Sequence, residues 1–273
     1  MMHSVRLGIA RRLAAMRLHR WNHGQDLPDG WLRKRRTRIA EILIPLGNLY
    51  LFVQGAMSEV LSCENWIAWE LAIAAQFGRN TRTTKDRTGL EFEAIPGISL
   101  EQLLRSHRPL NEKLRGICLS AAALRDLHRV TISAIDATNW PLSHGDATCR
   151  NVVVDLATET ASWIDFDMRH RPQFSWATRR ADDLRALLWS SAACLDVARY
   201  SDCVCAAFEG YSDVTVVRDV QAIAGNLTLP TVFQLGQSAL LAEDFFCLNE
   251  IIRQYEFVSQ EGRPEKEVVS RNG

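Results

Sequence analysis

The chain has 273 residues, nearly half of them apolar, and its 32 Lys plus Arg balance its 32 Asp plus Glu. That length suits one large domain or two lobes sharing a core, and the zero net charge names no polyionic partner. No run of about 18 apolar residues occurs, which excludes a membrane-spanning helix, and seven scattered Cys without CxxC pairs read as thiols in a reducing compartment.

The charge is unevenly spread. Residues 1–38 carry ten Arg and Lys against only Asp26 and Asp29. A basic arm of this kind suits phosphates or an anionic membrane surface. Residues 3–21 carry Val5, Ile9, Leu13 and Met16 at helical spacing, without the unbroken apolar core of a secretory signal. "WNHGQDLPDG" reads as a loop. "RIAEILI" and "NLYLFVQ" read as strands joined by a "PLGN" turn. "CENWIAWELAIAAQFG" reads as a helix with Trp66, Trp69, Ile73 and Phe77 on related faces and Gly78 as its stop. "GLEFEAIPGISLEQLL" gives a strand, a Pro-Gly break and a helix capped by Ser99 with Gln102 at the capping-box position. A helix is predicted from Asn111 to about Arg129, then strands "NVVVD" and "SWIDFD". Helices follow from Arg179, over 197–211 and from about 231 to 257.

The expected organisation is a basic arm or helix (1–30), a small β-rich N-lobe (31–96), a helical C-lobe (97–258) and a disordered tail (259–273). This is an α+β chain with a cleft between two lobes.

The chemistry gathers in "WPLSHGDATCRNVVVD". Two antiparallel strands joined by a turn bring the loop before the first beside the end of the second. Asp146, Asn151 and Asp165 then converge. Carboxylate and amide oxygens around one point suit Mg²⁺, and a further carboxylate beside it can take a proton from a hydroxyl. These are parts for phosphoryl transfer. Each residue also has an ordinary use as a turn or strand-end polar group. Cys203 and Cys205 lie on different helix faces and make a poor metal pair.

The run resembles the protein kinase-like superfamily, in its His-Gly-Asp branch of aminoglycoside and choline phosphotransferases, lipopolysaccharide core kinases and Bud/RIO-like kinases. The resemblance covers about Tyr50 to Leu188. It implies a two-lobed kinase-like fold with a reduced N-lobe. "HGDATCRN" looks like the catalytic loop, which would make Asp146 the base and Asn151 a metal ligand. "WIDFD" looks like the Asp-Phe-Gly segment, with Asp165 as the main Mg²⁺ ligand and Asp167 where protein kinases have Gly. "ADDLRAL" looks like the helix bracing the loop through Asp183 or Asp182, and His144 reads as a supporting hydrogen-bond residue. Glu91, Phe92, Glu93 and Ala94 look like the adenine-binding hinge, and Glu70 like the partner of the phosphate-binding lysine. Cys149 is read as a bystander.

The upper lobe departs from the pattern. No G-x-G-x-x-G loop is present, and Gln54 stands where "LYLFVQ" should end in that lysine. None of Lys34, Lys85, Lys113 or Lys266 is expected in the slot, so an Arg from 33–38 or Lys85 would substitute. Thr148 stands where serine/threonine protein kinases carry Lys, which favours a small or lipid-linked hydroxyl acceptor such as a lipopolysaccharide core sugar. The resemblance thus implies an ATP- and Mg²⁺-dependent kinase, cytoplasmic or peripheral at the inner membrane face. A protein kinase and a pseudokinase scaffold are the alternatives, and nucleic acid is not an expected partner.

Overall fold

Alternation in the charge-rich run "WLRKRR" sets the first sheet. The structure, a computed structural model, describes residues 22–27, 30–53, 55–86, 88–133, 139–224, 240 and 242–256. Strand β2 (Trp31–Arg36) pairs antiparallel with β1 (Asn22–Asp26) and, on its other edge, with β5 (Gly89–Glu93). Strand β4 (Thr81–Thr83) completes a four-stranded sheet in the order β1-β2-β5-β4. With a period of two, Lys34 and Arg36 leave one face while Arg33 and Arg35 leave the other. Lys34 and Arg36 lie over Trp66, whereas Arg33 pairs with Glu91 and Arg35 with Asp86.

Two expectations fail here. The segment expected as a loop contributes β1. The two strands expected over 38–54 are one helix, α1 (Arg38–Val53), with Pro45 inside it. Thr37 accepts the Ala40 amide at its start, and no turn forms at "PLGN". The apolar residues there are not buried as strand residues would be: Ile42, Leu46, Leu49 and Val53 are exposed. Composition mimicked a strand pair, and a cap with continuous helical bonding overrode it.

Helix α2 (Cys63–Gln76) begins at Ser62, whose side chain accepts the Asn65 amide, and buries Trp66, Trp69, Glu70 and Ile73; Phe77 lies past its end and is exposed. Strand β3 (Ser58–Val60) precedes it. A two-residue strand, β6 (Ile98–Ser99), leads into α3 (Leu100–Arg105), with the Ser99–Gln102 capping box formed as expected. Helix α4 (Leu110–Leu127) packs against β9 (Val152–Asp155), β10 (Thr160–Trp163) and α6 (Tyr200–Tyr211). Strands β7 (Thr131–Ile132) and β8 (Trp140–Pro141) form a short pair before the "HGD" loop.

Strand β11 (Met168–His170) pairs with β3, not with its neighbour β10, so Arg169 lies opposite Glu59. This ties the "WIDFD" segment to the chain just before α2. Helices α5 (Trp176–Ala192), α7 (Val214–Ile223) and α8 (Ala242–Gln254) complete the body. One continuous core runs from Trp66 and Trp69 through Leu103, Leu124 and Leu187 to Phe208 and Leu248.

The result is a mixed α and β chain, with an antiparallel sheet before Pro96 and mostly helix after it. Among the described residues, no helix is long and apolar enough to cross a membrane. The expected N-terminal helix, most of the start of the 231–257 helix and the tail from 259 fall outside the described residues.

Candidate functional site

The loop between β8 and β9 is held by one carboxylate. Asp183, on α5, accepts the backbone N–H groups of His144 at 2.7 Å and Gly145 at 2.9 Å, and its Oδ2 lies 3.0 Å from His128 Nε2. The charge of His170 and the hydrogen bond from His128 outweigh burial and hold the Asp183 carboxyl at about 2. Asp182, the other candidate brace, pairs instead with Arg185 and His170. His144 Nε2 meets the Ile164 carbonyl at 2.9 Å, and burial lowers its pKa to about 4, so the ring is neutral at pH 7. Its role is support.

Gly145 has φ +79°, and a Cβ there would lie 3.0 Å from the Arg169 backbone. Only glycine allows the loop to pass that close to β11.

Asp146 follows. Asn151 Nδ2 donates to the Asp146 carbonyl at 2.9 Å and to Asp146 Oδ2 at 3.0 Å. Burial and the Asp165 charge push the Asp146 carboxyl up to about 7, against the pull of Asn151. The Asn151 carbonyl accepts the Ile164 amide at 2.8 Å, which sets Asp165 one residue further on. Asp165 has φ +66°, a left-handed conformation uncommon outside glycine, though Asp and Asn adopt it more readily than most.

Glu70 comes from above. Its Oε1 accepts Trp66 Nε1–H at 3.2 Å and the Phe166 amide at 3.0 Å. The carboxylate oxygens of Glu70, Asp165 and Asp167 lie within 4.8 Å of one another. Lys34 Nζ enters this group, bonding to Asp165, to Asp167 at 2.6 Å and reaching Glu70 at 3.5 Å. Burial opposes its charge, but Asp165, Asp167 and Glu70 outweigh that and raise its pKa, so it stays protonated. Burial raises the carboxyls of Glu70 and Asp167, and Lys34 opposes both shifts. Arg36 Nη2 adds a contact to Asp167 at 3.4 Å.

Lys34 is the cation that the structure puts beside Glu70 and Asp165, where the sequence reading expected an Arg from 33–38 or Lys85. The error followed from taking 48–54 as the relevant strand. Gln54 itself falls outside the described residues. The signal that could have found Lys34 was the period-two alternation in "WLRKRR", hidden inside what read as a basic arm. Asp167 was also noted only as a departure, yet it shares the ammonium with Asp165.

The hinge residues behave differently from one another. Glu91 bonds through its side chain to Arg33 and Arg82, which hold its carboxyl below the usual range. Phe92 lies between two ladder partners, Leu32 and Thr81. The Glu93 amide donates to Asn80 O and the Ala94 amide to Gly30 O, so these two donors are engaged within the sheet. Cys149 donates its S–H to the Ser190 carbonyl at 3.3 Å and is buried, in keeping with a packing role.

Asp146, Asn151, Asp165, His144, Asp183 and Glu70 are thus brought together, with Lys34 and Asp167 added. A base with a pKa near neutrality, a cluster of hard oxygen donors and a fixed ammonium can bind and act on a polyanion. No protein-family model matches the chain, and no curated protein matches it either.

Proposed function

We propose that this chain is a phosphotransferase with a two-lobed, protein kinase-like fold, moving the γ-phosphoryl group of ATP to a hydroxyl of a non-protein acceptor. The observation that carries the reading is Lys34 held between Glu70 and Asp165, with Asp165 near enough to the Asn151-bonded Asp146 for its charge to be felt there.

Asp165 and the Asn151 amide oxygen, with Asp167, would hold Mg²⁺. Hard carboxylate and amide oxygens suit that ion, and one ammonium with one guanidinium cannot neutralise three carboxylates. Bound there, Mg²⁺ would neutralise charge on the phosphates. Lys34 pairs with the α- and β-phosphates, while Glu70 fixes its position. Asp146 orients the acceptor hydroxyl and takes its proton as the new O–P bond forms and the bond from the γ-phosphorus to the β,γ-bridging oxygen breaks, with ADP as the leaving group. Asn151, through its bond to Asp146 Oδ2, fixes the direction of that carboxylate.

Thr148 in place of the lysine of serine/threonine protein kinases favours a small or lipid-linked acceptor, including a lipopolysaccharide core sugar. The basic arm would bring the site to the inner, anionic face of a membrane. The scaffold alternative rested on a missing lysine, and Lys34 beside Glu70 and Asp165 supports the active reading over it.

The test is Mg·ATP titration with thermal unfolding, alongside an ADP-release assay. At about 100 times Kd, ligand binding should stabilise the chain by about 2.7 kcal/mol. Asp165→Ala should lose both signals. Absence of stabilisation at millimolar Mg·ATP would overturn the reading.

A further inference from the structure

Four N–H donors without acceptors gather around Trp140 and Trp176. Arg179, in the first turns of α5, is 7% exposed. Its guanidinium carbon lies 4.9 Å from the Trp140 ring centre and 5.1 Å from that of Trp176. Arg179 Nε and Nη1, Trp140 Nε1 and Arg180 Nε are all buried and have no hydrogen-bond partner. Arg180 lies 5.6 Å over Trp176, and its Nη1 reaches Asp213 at 3.4 Å.

Buried polar groups in folded proteins are nearly always paired, so a cluster of unpaired ones needs an explanation. These are all donors. What is missing is therefore an acceptor. The aromatic faces stabilise the Arg179 cation but leave its in-plane N–H edges unsatisfied. Burial pulls the Arg179 pKa down, and the nearest opposing charge, Asp183, is already bonded to His128, His144 and Gly145. A water molecule could accept one bond but could not neutralise a buried guanidinium. An oxyanion does both.

The position gives the anion a use. The guanidinium of Arg169 also lies 5.7 Å from the Trp140 ring. The Arg169 backbone runs against Gly145, the residue before Asp146. The donors thus stand beside the strand that abuts the proposed base.

We infer that Arg179, Arg180 and Trp140 form a subsite for an oxyanion, a phosphate or carboxylate, carried by the acceptor molecule. Its assignment to the acceptor rests on the phosphotransferase reading, but the anion site itself does not.

The test uses the full chain without nucleotide. Thermal unfolding is followed with inorganic phosphate or with acetate, each against chloride at matched ionic strength. One of the two anions should raise the melting temperature of the wild type and of Asp146→Asn and Lys34→Met alike. A rise with phosphate assigns a phosphate group, and a rise with acetate a carboxylate. Arg179→Gln should weaken the apparent Kd at least tenfold. Trp140→Phe, which keeps a ring but removes the N–H, should weaken it severalfold and serves if Arg179→Gln does not fold. No rise with either anion, or an unchanged Kd in both variants, overturns the subsite. A rise that vanishes in Lys34→Met places the anion among the phosphate-binding groups and overturns it too. Loss of ATP turnover in the wild type with the anion response intact would instead count against the phosphotransferase reading alone.

Discussion

Glu70 Oε1 accepts the backbone N–H of Phe166 at 3.0 Å, joining helix α2 to the segment that carries Asp165 and Asp167, 96 residues further along the chain. The same oxygen accepts Trp66 Nε1 and faces Lys34. One carboxylate therefore sets both the ammonium and the backbone beside it. Glu70→Ala should leave two buried donors and a cation short of an acceptor, costing about 3 kcal/mol or more. Glu70→Gln keeps an acceptor oxygen and should cost less than half as much. Urea unfolding of both variants checks this, and equal costs would show that charge rather than hydrogen bonding matters at this oxygen.

Lys34→Met should weaken the ATP response. Charge-assisted bonds of this kind contribute about 1.5–3 kcal/mol each. ATP affinity should fall by at least an order of magnitude, measured by calorimetric titration. Lys85→Met, on the turn after β4, should bind ATP like the wild type.

Asp146→Asn should reduce phosphoryl transfer by about two to four orders of magnitude, the usual contribution of a positioned base. Its stability should not fall. Asparagine can still accept from Asn151, and a carboxylate whose burial opposes ionisation is replaced by a neutral amide. Calorimetry beside single-turnover kinetics separates the two effects.

Gly145→Ala tests the close approach of the loop to β11. The substitution forces a left-handed conformation on alanine and a 3.0 Å contact with backbone that has no flexible end to move. About 1–3 kcal/mol should be lost. Chemical denaturation measures it, and a change under about 0.5 kcal/mol would count against the tight loop.

Acidification acts through groups of opposite sign: His144 and His128 oppose folding as pH falls from about 6.5 to 4 and Asp183 opposes it below about 4, while Asp146, its carboxyl pushed up to about 7, favours it between about 7 and 4. His144, held neutral with its pKa lowered to about 4, resists the proton that the unfolded chain takes near 6.5. Its contribution is present above about 6.5 and lost as pH falls toward 4, on the order of 3 kcal/mol. His128, also lowered by burial, acts in the same direction. Asp183, held at about 2, contributes above about 4 and loses that as pH falls toward 2. His170 has the opposite sign. Its pKa is raised, since Asp183 and Asp182 outweigh burial, so its contribution is present in acid and lost as pH rises through the folded value. His144→Phe should raise the stability at pH 4 relative to that at pH 6.5 by about 3 kcal/mol, and Asp183→Asn should flatten the limb below 4. Unfolding free energies measured across pH 2–8 decide both.

The sequence by itself determined the local devices. The Ser99–Gln102 capping box, the apolar face of α2 and the hairpin of β9 and β10 are set by neighbours a few residues apart, and a pattern of cap, period and turn specifies each. The spacing of Asp146, Asn151 and Asp165 was readable for the same reason, because a hairpin brings the loop and the strand end together. What only the tertiary structure decided was pairing across long separations. Lys34 is one basic residue among several in sequence, and the period-two alternation of "WLRKRR" puts it on one face with Arg36 without choosing between them. It becomes the cation shared by Glu70 and Asp165 because β2 lies beside β5 and α2 brings Glu70 over it. The segment 38–53 carries the residues of strands, yet the sheet closes with β1, β4 and β5, and that stretch is left to satisfy its backbone as a helix. The unpaired donors of Arg179 and Trp140 were also invisible, since burial without a partner is a property of packing and not of residue type.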